Sequence, residues 1–360
     1  MPGLAFKAVV IGGGYATGRE LAEFFLPAAP VGGLLGMLLA TVVWSVVCVL
    51  TFVFAMQVGA RDYVQFIRAL MGRAWIAFEI AYLVLLLLIL AVFSAAAGAI
   101  GRALLGWPDI IGELLLMAGI ASATALGDRS VERVFKYVSF LLYGVYGIFL
   151  VLCLSRFSGQ IAAAFANSPA PVASTWIVGG LTYASYNAVM ATAILPVLRH
   201  MRSRRDAVVA GVLAGPLAML PAIAFFISMA AFYPEVSREA LPSDFLLKRL
   251  GNPAFHALFQ LMIFAALLES GTGAVHAVNA RLRTWRAKRG HEQGRGERLA
   301  VAVIILVAAV FVADRAGLIA LIASGYRFLA WLFFAVFLAP LLTLGAYSLY
   351  KGRGRVSDEK

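Results

Sequence analysis

Gly12-Gly13-Gly14-Tyr15-Ala16-Thr17-Gly18-Arg19-Glu20 interrupts the first apolar segment of the chain, about residues 4–27. Consecutive glycines are poor helix formers, yet apolar residues precede them and Leu21, Phe24 and Phe25 follow. The stretch reads as a transmembrane helix broken near its middle. A break frees backbone N–H and C=O groups that lipid cannot satisfy, so it persists only where protein, water or a ligand satisfies them. Broken helices of this kind build the binding sites of many secondary transporters. Two plainer readings fit less well. A dinucleotide-binding G-x-G-x-x-G needs glycine where Thr17 stands, and no βαβ unit follows. Close packing through small residues needs no charge, whereas Arg19 and Glu20 sit side by side here.

Composition sets the class. Of 360 residues, 62% are hydrophobic and 13% charged, about half the roughly 25% charged content of a soluble domain. The chain is read as an all-α polytopic membrane protein. Cys48 and Cys153 both fall inside apolar segments and suggest neither a disulfide framework nor a metal set. The first apolar segment runs straight into Arg19 and Glu20, so no cleavable signal is expected. A net charge of +12 invites a nucleic-acid reading. Its distribution points to lipid topology instead, and no nucleic-acid partner is expected.

Ten apolar spans are expected, at about 4–27, 33–56, 74–100, 110–126, 135–153, 173–198, 207–232, 254–280, 299–312 and 318–349. A short surface helix is expected within the polar loop 61–73, and an interfacial helix between 155 and 171. Alternating the loops puts 22 of the 30 Lys and Arg on one side and 6 on the other, with Arg19 and Arg327 inside spans. That bias predicts both termini in the cytoplasm of a cell inner membrane, with cytoplasmic arginines touching anionic lipid heads.

The second half echoes the first. The sixth span carries Gly179-Gly180-Leu181-Thr182-Tyr183-Ala184-Ser185-Tyr186-Asn187, again a glycine-rich, aromatic, polar centre. Centres five spans apart suit a five-plus-five inverted repeat with discontinuous helices 1 and 6. The repeats are expected at 1–153 and 173–349, joined by a linker at 154–172 and followed by a cytoplasmic tail at 350–360. The eighth span adds Glu269-Ser270-Gly271-Thr272-Gly273. A carboxylate at the depth of Glu269 either pairs, with Arg19 as the plausible partner, or takes up a proton. Arg327 lies about two turns into the tenth span, where it snorkels or lines an outer vestibule. No nucleophile elbow, Walker motif or metal spacing is present, so neither an enzyme nor a bound cofactor is expected.

Gly12–Glu20 with Phe24-Phe25 resembles the opening signature of the YkvI-like membrane proteins, and Glu269–Gly273 with Asn279-Ala280-Arg281 resembles their later motif. That family is similar to the amino acid–polyamine–organocation superfamily, with the LeuT-type repeat. The resemblance implies a solute transporter with substrate between the broken centres of helices 1 and 6. Carried onto this chain, the implied substrate positions are Gly12, Gly13, Gly14, Tyr15, Thr17, Gly18, Gly180, Tyr183, Ser185, Tyr186 and Asn187. Arg19, Glu20, Glu269, Ser270, Thr272 and Arg327 are the coupling or gating candidates. Sodium in the superfamily often lies between helices 1 and 8, here near Gly12, Ser270 and Thr272. Arg19 and Glu269 depart from that pattern, so the coupling ion is open between proton and sodium.

The expected function is therefore secondary active transport of a small polar solute, an amino acid or related organic ion, by alternating access. A membrane sensor or scaffold that kept the fold and lost transport is the alternative.

Overall fold

In the computed structural model the first span is cut at Thr17–Gly18. Helix α1 (Gly13–Ala16) lies before the cut and α2 (Arg19–Phe24) after it. Gly18 takes φ 78°, a left-handed conformation that a β-carbon penalises. The structure describes residues 6, 13–126, 128–201, 203–287, 291 and 294–357. Gly12 lies outside them, and Gly13 and Gly14 enter as helical backbone of α1. The break is thus narrower than the glycine run suggests.

A single 3-10 turn, Leu26–Ala28, leads into α3 (Ala29–Val58). The expected surface helix is α4 (Tyr63–Met71). Asp62 caps it by accepting the Gln65 N–H at 2.8 Å, and Phe66, Ile67 and Leu70 form its buried face. Three long helices follow, α5 (Trp75–Leu105), α6 (Asp109–Leu126) and α7 (Asp128–Arg156). A helix, α8 (Ser158–Ala166), lies in the stretch where the interfacial helix is expected, bent 67° from the end of α7. Then come α9 (Ala173–Ala188) and α10 (Arg204–Ala230), which opens on a reciprocal Ser203–Asp206 capping box. The long loop beyond α10 contains α11 (Pro242–Leu250). The last third is α12 (Pro253–Ala287), α13 (Arg295–Ala320), α14 (Arg327–Phe333) and α15 (Ala346–Ser357), with π-helical turns at Leu321–Tyr326, Phe334–Leu338 and Leu341–Gly345.

Five stretches among the described residues are each long and apolar enough to cross a membrane: Arg19–Val58, Tyr63–Leu105, Arg204–Ala230, Pro253–Arg283 and Gly296–Lys351. The first holds the end of the expected span 4–27 and all of 33–56, and the last holds the ninth and tenth spans. The backbone leaves helical geometry between them at Ala29 (φ 60°) and at Gly317 (φ 74°) respectively. The ninth span is therefore longer than its apolar core at 299–312, because α13 begins at Arg295 and extends to the bend at Gly317.

Helices five apart in span order pack on each other: α3 on α10, α5 on α12, and α6 on α13. This is the pairing an inverted repeat produces. The first group includes α9 and the α2 half-helix, and the second forms a separate layer of α5, α6, α12 and α13. The short α1 lies against α5 and α12.

The sixth span corrects the expectation about its centre. Residues 179–187 are not unwound, because α9 is α-helical to Ala188 and loosens into 3-10 turns only at Val189–Thr192 and Leu195–His200. Gly179 and Gly180 serve packing instead. A β-carbon at Gly179 would fall on the carbonyl oxygen of Phe24, and one at Gly180 on that of Gly36. The indole N–H of Trp44 donates to the Ala184 carbonyl at 3.2 Å and fastens α9 to α3. Gly179→Ala is expected to destabilise the protein by about 1–3 kcal/mol through overpacking. Gly144→Ala, whose β-carbon would meet nothing within 4 Å, should instead gain up to about 1 kcal/mol of helix propensity. Denaturant unfolding of the two variants in detergent measures both, and a Gly179→Ala protein as stable as the parent would contradict the packing assignment.

Candidate functional site

The break at Thr17–Gly18 turns two sets of groups in two directions. One set meets the loop that carries α11. The carbonyl of Thr17, released from helical bonding, accepts the Ser243 N–H at 3.1 Å, and the Thr17 hydroxyl accepts the Arg19 N–H at 3.3 Å. Arg19 is 3% exposed, and its guanidinium donates to the carbonyls of Ser237 (2.7 Å) and Glu239 (2.9 Å) and to the Glu23 carboxylate (2.6 Å). Glu23 also faces Arg327 at 3.8 Å. Gly18 fits beneath the same loop, where a β-carbon would come within 2.7 Å of the Phe225 ring and 3.2 Å of Pro242. The loop is tied down at its far end as well. Asp244 accepts from His256 at 2.6 Å and from Gln260 at 3.0 Å, and pairs with Lys248 at 2.7 Å.

Arg19 and Glu269 do not pair. All of the Arg19 side-chain contacts go to its own helix and to the α11 loop, while Glu269 lies within electrostatic reach of Tyr143 on α7. An i,i+4 carboxylate on the same helix was available to Arg19 and satisfies it locally.

The second set lines a cavity of about 220 Å³. Tyr15 and Glu20 face it from either side of the break, Tyr186 and Asn187 from α9, Ser270 from α12, and Tyr326 from the π-helical turn before α14. Leu86, Ile89 and Phe93 of α5 supply an apolar wall. Glu20 is 8% exposed and accepts the Tyr186 hydroxyl at 2.6 Å. The Tyr186 ring stands 4.7 Å from that of Tyr326. The Tyr15 hydroxyl is buried with no partner among the described residues.

Tyr82 and Ala277 close the cavity on the α4 side. Beyond them lies a second cavity of about 890 Å³, which shares Ala277 and is lined by Tyr63, Glu79 and Arg281. The Arg281 guanidinium lies over the rings of Tyr82 (4.3 Å) and Tyr63 (4.6 Å) and donates to Glu79 at 2.8 Å. The Tyr63 hydroxyl also reaches Glu79, at 3.1 Å. This cluster stands between the two cavities.

The sequence-derived candidates divide accordingly. Tyr15, Glu20, Tyr186, Asn187 and Ser270 come together around the smaller cavity, while Thr17, Gly18, Arg19 and Arg327 belong to the break and its cover. Gly180 and Tyr183 are core residues. Tyr183 is fully buried against Phe25 and Trp44 and does not line the cavity. The hydroxyls of Ser185 and Thr272 bond back to Leu181 and Leu268 on their own helices, both at 2.7 Å. Of the implied sodium positions, Ser270 reaches the cavity and Gly12 lies outside the described residues. Among the described residues no three His, Cys, Asp or Glu gather closely enough to hold a metal ion. Tyr82, Tyr326 and the Glu79–Arg281 pair were not singled out from the sequence. Glu79 and Tyr82 are three apart in α5 and so share a face, which was the available signal.

Comparison with known proteins accords with this geometry. No family model matches the chain. Over 286 residues it is 23% identical to the uncharacterized membrane protein YkvI of Bacillus subtilis (strain 168), covering 78% of this chain and 81% of that protein. A structure of MhsT in complex with L-phenylalanine superposes with TM-score 0.64 at 17% identity, covering 96% of this chain and 91% of MhsT. The chain is similar to YkvI and shares the LeuT-type fold of MhsT. An Eremococcus coleocola manganese transporter (TM-score 0.56, 16% identity, 95% of this chain and 77% of that one) shares it. So does a Na+-coupled sialic acid symporter (TM-score 0.53, 13% identity, 95% and 85%). Each of these solved structures is a protein to which the chain is similar in fold.

The buried Arg19 contacts make a stability prediction. Arg19→Ala leaves Glu23 with only the long contact to Arg327, so the loss should fall toward the lower end of about 3–5 kcal/mol. In an Arg19→Ala/Glu23→Gln double-mutant cycle, the part of that loss due to the unpaired Glu23 should be recovered, while the part due to the Ser237 and Glu239 carbonyls should remain. Purely additive effects in denaturant unfolding would contradict the pairing.

Proposed function

We propose that the protein is a secondary transporter of a small polar solute, working by alternating access around the cavity at the break. The observation that carries this reading is the division of labour across Thr17–Gly18. Residues on both sides of the cut line a cavity, and the groups freed by the cut are held by a loop that covers one face. Such an arrangement has two closures, the Arg19 contacts on the α11 side and the Arg281 cluster on the α4 side, with the cavity between them. Transport follows if the closures open in turn.

The charge bias supports placing both termini and α4 in the cytoplasm and α11 outside, in the cell inner membrane. An ion gradient, of protons or sodium, supplies the driving force in this reading. The superposed structures support a small-molecule cargo in general: one holds L-phenylalanine, one belongs to a manganese transporter and one to a sialic acid symporter.

Counterflow in proteoliposomes, screened over small polar solutes under separately imposed proton and sodium gradients, tests the proposal. At least one solute should accumulate. Gly18→Ala should abolish that accumulation while the protein still inserts, because the left-handed φ and the Phe225 contact both oppose a β-carbon. A screen without accumulation of any solute would leave a sensor or scaffold with a transporter's fold. Single cysteines at Lys248 and Lys351 should label from outside and inside respectively, and the reverse pattern would overturn the orientation.

A further inference from the structure

The larger cavity, of about 890 Å³, lies beside the surface helix α4. Its volume is that of about thirty waters at ~30 Å³ each. Leu83, Val278, Leu282 and Val301 line it with aliphatic carbon, where water finds few hydrogen bonds. A void of that size and lining calls for an apolar occupant. The approach to it is apolar as well. Ile76 (56% exposed), Ile80 (59%) and Leu83 (41%) recur at i, i+4 and i+7 on α5 and form an exposed stripe that ends at the cavity wall.

The end next to α4 is polar and basic. Asp62 and Glu79, the carboxylates among the described lining residues, are both engaged: Asp62 caps α4 through the Gln65 N–H, and Glu79 pairs with Arg281. Arg68 differs. Its guanidinium lies 4.3 Å over the Trp75 ring and has no carboxylate partner among the described residues. Stacking uses the face of the guanidinium, and its N–H donors point outward in the plane, free for phosphate oxygens. Arg61 and Arg73 stand on either side of α4, both exposed. Tryptophan and arginine together at the end of an apolar span mark a headgroup boundary.

We propose that this cavity seats one anionic phospholipid, with its phosphate on the Arg68 guanidinium and an acyl chain along Leu83, Val278 and Val301. Basic charge on α4 and aliphatic carbon behind it match the two halves of such a molecule. A zwitterionic lipid brings the same chains with a cationic group that the neighbouring arginines repel. Free phosphate matches Arg68 alone and leaves the apolar part unfilled. The seat requires only that α4 lies at the membrane surface, so it stands for a transporter and for a scaffold alike.

Native mass spectrometry of the full chain, stripped of lipid in detergent, tests this by titration with dioleoyl phosphatidylglycerol, dioleoyl phosphatidylcholine or inorganic phosphate. Phosphatidylglycerol should fill one saturable site about fivefold more tightly than phosphatidylcholine, the contribution of one arginine near a membrane surface. Inorganic phosphate should not bind at the same concentration. Arg68→Gln should remove the preference for phosphatidylglycerol, and Arg68→Lys should keep most of it. Arg205→Gln, at the exposed start of α10, should change nothing. Val278→Phe narrows the apolar part and should weaken phosphatidylglycerol binding, which tests the seat even if Arg68→Gln fails to fold. The proposal is overturned if phosphatidylcholine or inorganic phosphate binds as tightly as phosphatidylglycerol, or if no lipid is retained. It is overturned equally if Arg205→Gln costs as much as Arg68→Gln, which would make the preference a property of the whole basic face. Unchanged binding in Val278→Phe would put the lipid outside the cavity and also overturn it.

Discussion

A helix cut inside a membrane must have its freed backbone groups satisfied, and the rest of this structure follows from how that is done. At Thr17–Gly18 the satisfaction comes from outside the helix. The Thr17 carbonyl is bonded by Ser243, and Arg19 is held by two carbonyls of the same loop. The loop therefore completes the first span as well as connecting two later ones. Moving it would expose the cut, and any event at the cut bears on the loop. This physical coupling makes the α11 side a closure instead of a passive surface.

The α4 side is built from different chemistry. There a guanidinium lies over two tyrosine rings that stack on each other and is paired with Glu79, across a short amphipathic helix and two long ones. The pair is partly open to solvent, with side chains 16% and 20% exposed, so its ionic part is weaker than that of a fully buried pair. The two closures thus differ in kind: one is mostly backbone hydrogen bonding, the other aromatic stacking about a single arginine. The cavity between them is walled by both layers of the fold, so a shift of one layer against the other changes its shape.

Much of this was legible in the sequence. Local features announced themselves: the glycine run, the Asp62-capped surface helix, the apolar spans and the charge bias all depend on neighbours in the chain. Tyr15, Glu20, Tyr186, Asn187 and Ser270 were named as candidates and do surround one cavity. The misreadings have a common cause. Gly179–Gly180 looks like a break because glycine serves both breaks and close approach, and only the carbonyls of Phe24 and Gly36 across the interface decide between them. The partner of Arg19 was sought in a distant span, whereas Glu23 lay one turn away and Ser237 and Glu239 lay 218 and 220 residues off. Separations of that length leave no periodic trace. Tyr326 escaped notice because its orientation comes from a π-helical turn, which shifts the face a residue presents.

The central claim is that one cavity meets water from each side in turn. A single cysteine at Ser270, on the cavity wall, tests it most directly, since the native Cys48 and Cys153 are buried. Its rate of modification by a membrane-impermeant thiol reagent, applied separately to each face of oriented vesicles, is the measurement. The account predicts modification from both faces, with faster reaction from the α11 side when Arg19→Ala removes that closure. Reaction from one face alone, unchanged by Arg19→Ala in a folded protein, would contradict it.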